Sequence, residues 1–237
     1  MPRRRSSVLV VTSAFAGFRF PAEVIIVAVR WYLRFGLSYR DVEELLAERG
    51  VDVDHVSVYR WVQRFTPLLV EAARPARHAV GDRWHVDETY VKISGTWQYL
   101  YRAVDQFGHV VDVLLSPKRN APAARQFFAN AMAVTQTEPA EVVTDRARAY
   151  PGVLDDLLPG TLHDVEQYAN NKVEADHGRL KARLRPMRGL KTAAGTRRIA
   201  LGHAFVQNAR RGHYELGMEA PAEGRLAAAF AELAFVI

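Results

Sequence analysis

The sequence predicts a small all-α unit over residues 18–75, then a domain of α+β and α/β character over residues 80–214, and a helical tail over residues 215–237. Three observations carry this reading. Between Pro21 and Phe65 apolar residues recur at helical spacing, broken by Gly36 and Gly50 and closed by Pro67. After Pro75 the pattern changes to period-two alternation rich in Val, Tyr, Trp and Thr, through residue 115. From residue 121 onward helical stretches alternate with short apolar runs.

Within the first unit, Pro21 sits at a helix start and Val24, Ile25, Ala28, Val29 and Tyr32 form an apolar stripe. Ser38 and Asp41 have capping-box spacing for a second helix that buries Val42, Leu45 and Leu46 and ends at Gly50. A third helix then runs to about Phe65, with Val58, Trp61, Val62 and Phe65 inward and His55, Ser57, Arg60, Gln63 and Arg64 outward. A helix, a turn and a second helix exposing such side chains is what a helix-turn-helix needs to read the major groove. Three-helix units of this length also serve as packing or dimerisation modules, and that alternative stays open.

In the second unit, Arg83–Ile93, a Ser94-Gly95 turn, Thr96–Val104, a turn at 105–108 and His109–Leu115 read as a three-stranded meander. A helix from about Ala121 to Val134 follows. Next come a buried strand ending at Asp145, a helix at Ala149–Leu158, a brief strand near Leu162 and a helix at Asn171–Leu184. Three antiparallel strands followed by α, β, α, β, α is the order of the ribonuclease H fold. A further helix at Thr196–Arg211 is expected to pack Ile199, Ala200, His203, Phe205 and Val206 against this domain. The amphipathic tail from Arg225 has two readings, packing or dimerising.

The 237 residues include no cysteine, which excludes disulfides, thiolate metal sites and cysteine nucleophiles and points to a reducing cytoplasm. Any metal must sit on oxygen or imidazole. Lys and Arg number 32 against 26 Asp and Glu, a net charge of +6 that favours a polyanionic partner. No apolar run approaches the roughly 18 residues of a spanning helix, so no membrane partner is expected. Arg3, Arg4 and Arg5, Val8–Val11 and Ala14-Phe15-Ala16 imitate a secretion signal, but Thr12 and Ser13 break the apolar stretch, and residues 1–17 are read as a disordered arm.

Opening a phosphodiester bond without a covalent intermediate needs charge stabilisation on the attacking and the leaving oxygen, which two hard divalent ions on carboxylates supply. Asp87 lies inside the first strand, where an acid in an apolar run is costly unless it binds something. Alternation puts Asp87 and Glu88 on opposite faces, so only one of them is expected at a site. Asp145 ends the short strand Val142-Val143-Thr144, at the sheet edge where ligands sit, or else caps the next helix. Glu174, His177 and Lys181 share one helical stripe, which serves either as half of a site or as a solvated face.

The phrase Asp87-Glu88-Thr89-Tyr90-Val91-Lys92, continued by Gly95, Trp97 and Tyr99 to Asp105, resembles the catalytic-domain opening of DDE transposases of the insertion sequence six family. Thr144-Asp145-Arg146-Ala147 with Tyr150, Asn170-Asn171 with Glu174, Asp176-His177 and Lys181, then Arg185-Pro186 and Gly189-Leu190-Lys191, extend the likeness from about Phe18 to Tyr214. The resemblance implies a helix-turn-helix that binds the terminal inverted repeats and a ribonuclease H-like domain whose Asp87, Asp145 and Glu174 hold two Mg²⁺ or Mn²⁺ ions, Asp87 bridging. It also implies that water frees a 3′-OH at the transposon end and that this 3′-OH attacks double-stranded target DNA, in replicative transposition, with Lys181 on a phosphate near the bond. Synapsis of two ends implies a homodimer or a higher oligomer, associated with the nucleoid. One departure is the 29-position step from Asp145 to Glu174, shorter than in many members, which leaves Glu166 as an alternative third acid.

Between Arg179 and Arg198 stand eight basic residues and no acid: Arg179, Lys181, Arg183, Arg185, Arg188, Lys191, Arg197 and Arg198. Such a run supplies phosphate contacts and counterion release. Two other functions share parts of this pattern: a helix-turn-helix repressor with structural acids, and a metal-dependent nuclease that cleaves without joining.

Overall fold

The computed structural model describes residues 13–165, 171–187 and 189–237. Helix α1 (Ala22–Arg34) begins after Pro21 and buries Ile25, Ile26, Ala28, Val29, Tyr32 and Leu33. Helix α2 (Tyr39–Ala47) starts with the expected capping box. The Ser38 amide donates to Asp41 Oδ2 at 2.7 Å and the Asp41 amide donates to Ser38 Oγ at 3.2 Å. Gly50, at φ +74°, supplies the left-handed residue in the turn that follows.

Helix α3 (His55–Ala73) is capped by Asp54, whose carboxylate accepts from the amides of Val56 and Ser57. It does not stop at Phe65. Proline removes one backbone hydrogen bond and crowds the preceding turn, which argues for termination, yet Pro67 lies inside the helix. The apolar stripe explains this, because Leu69 and Ala73 continue the line of Phe65 and are fully buried.

Strands β1 (Arg83–Ile93), β2 (Thr96–Asp105), β3 (Val110–Ser116), β4 (Glu141–Val143) and β5 (Leu162–Asp164) form one sheet in the order β3-β2-β1-β4-β5. The first three are antiparallel, while β4 and β5 run parallel to β1. Helices α4 (Ala121–Thr135) and α5 (Pro151–Leu157) cover one face, where Phe127, Phe128, Val153 and Leu154 pack on Trp84, Val86, Tyr101 and Ala103. On the other face lie α6 (Asn171–Leu184) and α7 (Ala193–Arg210), with Val173, Leu180, Ala200 and Ala204 against Val91, Leu100 and Val104. This mixed sheet between two helical layers is the ribonuclease H-like arrangement expected from the element order.

Helix α7 departs from expectation. Ala200 and Ala204 face the sheet, but Ile199, Phe205, Val206 and Ala209 belong to the core of the N-terminal helices. Eleven of its eighteen residues are buried, so it is a wall shared by both units. Helix α8 (Arg225–Val236) packs Leu226, Phe230 and Leu233 into the same helical core, so the tail's apolar face is engaged within its own chain. Residues 13–17 are also engaged: Phe15 stacks on Phe65 with centroids 4.7 Å apart, and Ser13 Oγ donates to the Ile237 carbonyl at 3.2 Å. Residues 1–12 lie outside the described residues.

The close crossing of α7 depends on Gly202, where a Cβ would sit 2.7 Å from both Leu33 Cδ2 and Thr66 Cγ2. Gly202→Ala is therefore expected to lower unfolding free energy by about 1–3 kcal/mol in urea titrations, as overpacking does. Gly178→Ala, where nothing lies within 4 Å, should instead raise it by up to about 1 kcal/mol through helix propensity.

Candidate active site

Strand β4 is short and stops at Val143, which pairs with His85. Asp87 and Glu88 therefore run on past the end of their parallel neighbour, and Asp145 stands two residues beyond that same end. One carboxylate oxygen each from Asp87, Glu88 and Asp145 lies within 4.8 Å of the others. The expectation that only one of Asp87 and Glu88 reaches a site is corrected by this geometry. Their cross-strand partners, Arg102 and Tyr101, do face opposite layers. Next to the vacant edge beyond β4, however, the longer Glu88 side chain meets Asp87 and Asp145.

Arg119, in the loop between β3 and α4, ties two of the acids together. Its Nε pairs with Glu88 Oε1, and one terminal guanidinium nitrogen lies 2.6 Å from Asp145 Oδ2. The Tyr150 hydroxyl donates to Glu88 Oε2. Asp145 Oδ1 also accepts from the Ala147 amide at 3.0 Å, while α5 begins later, after Tyr150, with no side-chain cap. The capping alternative for Asp145 is thereby removed. Burial first, and then the Asp145 charge, push the Asp87 carboxyl up to about 7; Glu174 adds to this, while Arg119 and Lys181 oppose it. His177 Nδ1 lies 3.5 Å from Asp87 Oδ2, and burial, followed by the Arg102 charge, brings its imidazole down to about 4. At neutral pH the contact joins a neutral ring to the acid.

Helix α6 is set over β1 by a buried ion pair. Asp176 and Arg102 on β2 are both 0% exposed and paired through Arg102 Nε. The guanidinium groups of Arg211 and Arg179 lie 3.5 and 3.9 Å from the other Asp176 oxygen. With Val173 and Leu180 buried on the sheet, Glu174 and Lys181 are left exposed and near enough to act on the Asp87 carboxyl. Glu174 stands outside the tight set of three. Glu166, Asn170 and Arg188 lie outside the described residues.

The structure distributes the remaining candidates unevenly. Arg183 is only 4% exposed and lies 4.1 Å over the Tyr32 ring, so the expectation that it faces a phosphate is corrected. Its place on the inner side of α6 makes it a strut between the two units. Arg179, Lys181, Arg185 and Lys191 are exposed. On α3, Arg60 and Arg64 are exposed, Arg64 over the Phe18 ring at 5.5 Å. The other three are engaged within the chain. His55 Nδ1 contacts Glu43 Oε2 at 2.9 Å, Ser57 Oγ donates to Asp54 at 2.8 Å, and Gln63 Oε1 accepts from Arg198 at 2.8 Å.

Sequence reasoning missed Arg119 as a site residue and gave Tyr150 no role. Lys118 and Arg119 precede Asn120, the cap of α4, and that basic pair was the available signal. The donor set fits a divalent cation. It offers three hard oxygens in close array. Burial and the nearby Asp145 charge raise Asp87, and the Arg119 guanidinium already lies between Glu88 and Asp145. Among the described residues no helix is long and apolar enough to cross a membrane.

The family model described as a DDE domain matches residues 81–213, the segment that carries the sheet, the acids and α6. The protein is thus a DDE-domain polynucleotidyl transferase. The transposase for insertion sequence-like element IS431mec of Staphylococcus aureus strain Mu50 is 38% identical over 183 residues, covering 75% of this chain and 81% of the relative. The transposase for insertion sequence element IS257 in transposon Tn4003, also from Staphylococcus aureus, is 37% identical over the same length and shares. A solved HTLV-2 integrase catalytic core domain in complex with magnesium is 18% identical, covering 65% of this chain and 99% of that one at a TM-score of 0.46. The chain belongs to the DDE transposases of the insertion sequence six family.

Because the folded Asp87 holds its proton to about 7 and the unfolded chain releases it near 4, folding favours the protonated form. The stability this contributes is complete below about pH 4 and is lost as pH rises towards 7. Metal-free Asp87→Asn protein is therefore expected to melt at a higher temperature than wild type at pH 8, with the difference vanishing near pH 4 in thermal scans. Asp176→Asn is expected to cost about 3–5 kcal/mol in urea unfolding, because it leaves the buried Arg102 unpaired.

Proposed function

We propose that the protein binds the terminal inverted repeats of its insertion sequence and catalyses metal-dependent 3′-end cleavage and strand transfer into target DNA. The observation that carries this is the convergence of the Asp87 and Asp145 carboxylates beyond the end of β4, with Glu174 presented from α6. In this reading Asp87, Asp145 and Glu174 would hold two Mg²⁺ or Mn²⁺ ions, with Asp87 lying among the other acids. When bound, such ions lower the pKa of an attacking water and neutralise charge on the leaving oxygen.

The remaining steps belong to side chains of this chain. Glu88, held by Tyr150 and Arg119, adds negative charge beside the ligands and orients Arg119. His177 rests on Asp87 as a neutral ring and keeps that carboxylate turned towards Asp145. Lys181, seven positions after Glu174 on the same exposed stripe, meets a phosphate next to the bond being cut. The arginines Arg179 and Arg185 and the lysine Lys191 contact the strand beyond it, without sequence preference. Helix α3, entered through the α2 turn, presents Arg60 and Arg64 to the major groove in the helix-turn-helix manner. His55, Ser57 and Gln63 hold that helix in position. Two copies bring two ends together, acting on DNA in the cytoplasm, by the replicative route.

The test is a cleavage and strand-transfer assay on the DNA flanking the gene, with Mg²⁺ and a pre-cleaved end carrying a free 3′-OH. Asp87→Asn, Asp145→Asn and Glu174→Gln are each expected to lower both products at least a thousandfold while retaining gel-shift binding, consistent with the several kcal/mol such charge stabilisation supplies. Cleavage without any joined product under active conditions would make the protein a nuclease and overturn the proposal.

A further inference from the structure

The two faces of the β1–β2 hairpin are treated differently by the fold. On one side Val91, Ile93 and Leu100 are buried beneath the α6 and α7 layer. On the other, the α4 and α5 layer covers the sheet only as far as Glu88 and Tyr101, and the strands continue outward uncovered. Sheet surface open to water ordinarily carries polar side chains. Here it carries Tyr90 at 53% and Trp97 at 58% exposure, with Tyr99 half-buried between them and the covered region.

Cross-strand register makes these residues a ladder. Glu88 pairs with Tyr101, Tyr90 with Tyr99, and Lys92 with Trp97. The Tyr90 ring lies 5.1 Å from that of Tyr99 and 6.3 Å from that of Trp97, and Lys92 Nζ stands 5.6 Å over the Trp97 ring. At the hairpin tip, the Ser94 amide and hydroxyl donate to the carbonyls of Leu190 and Lys191, so the acid-free basic run reaches the same place. Tyr90 is two residues outward from Glu88 on the same face, about 7 Å along the strand. The aromatic surface therefore begins about one nucleotide from the acids.

We propose that Tyr90, Tyr99 and Trp97 form a stacking platform for unpaired bases of the DNA strand whose phosphate lies among the acids, with Lys92 and Lys191 facing its phosphates. Aromatic rings interleaved with cations suit single-stranded DNA, since every base offers a π-face and every linkage a negative charge. An apolar partner protein would gain nothing from the lysines. Continuity with the acids specifies the occupant as the strand being processed. The proposal rests on the transposase reading for the identity of that strand, and its test uses no cleavage.

Binding is measured by fluorescence anisotropy in EDTA, with a blunt duplex and with the same duplex carrying four unpaired nucleotides at one end. Wild type is expected to favour the unpaired end. Tyr90→Ala and Trp97→Ala should each weaken binding to it by about tenfold and leave the blunt duplex unchanged, while Tyr90→Phe and Trp97→Phe retain the preference. Trp97 is the most exposed of the four tryptophans, so the unpaired end should quench emission in wild type and not in Trp97→Phe. Phe107→Ala, at the far end of β2, is the control for loss of an exposed ring. Equal affinity of wild type for both DNAs, or equal losses on both in the alanine variants, overturns the proposal. So does a change from dimer to monomer on sedimentation of the alanine variants with the preference intact, which would make the patch a contact between copies. Failure of the transposase reading is distinguished by the absence of any joined product from a pre-cleaved end under conditions that support cleavage, a result read separately from the anisotropy.

Discussion

Arg102 and Asp176 face each other in the interior, one on the middle of the sheet and one on the helix that crosses it, both withdrawn from water. Such a pair is a poor source of net stability, because desolvating two charges offsets most of their attraction. It is a strong source of registry. Helix α6 has few apolar anchors, Val173 and Leu180 among them, and a helix held only by such contacts can slide or roll. A charge that finds its partner in one position does not allow this. The placement of Glu174, His177 and Lys181 relative to Asp87 follows from that pairing, as does the inward turn of Arg183 towards Tyr32.

The acids are close enough to oppose one another, and the fold concentrates that opposition at Asp87. Arg119 and Lys181 relieve part of it, the former by lying between Glu88 and Asp145. A site that keeps carboxylates together in a partly desolvated corner has stored a demand for positive charge. Hard divalent ions would answer that demand, and with their charge in place the site could accept a phosphate, which is the electrostatic logic of metal-assisted phosphoryl transfer.

Much of this was legible in the sequence. Period-two alternation marked the three long strands, the Ser38 and Asp41 spacing marked a helix start, and α6 was bounded at both ends. What escaped notice escaped for physical reasons. Pro67 reads as a stop because a local rule cannot weigh the burial of Leu69 and Ala73 beyond it. Helix α7 has apolar residues on two faces, and periodicity reports that a helix is buried without naming its two neighbours. Arg183 sits in a basic run and looks solvated, since only the fold brings Tyr32 beneath it. Glu88 was set against Asp87 by an alternation argument that does hold along β1, but beyond the end of β4 carboxylates from both faces reach Asp145. Arg119 lies 26 positions from Asp145, and no spacing rule connects them.

Helix α7 packs against the N-terminal helices on one side and against the catalytic sheet on the other, so a single helix is shared by the cores of both units. If α3 holds a DNA end as proposed, the spacing between that grip and the acids would be set by the protein through this shared helix and not by a flexible linker.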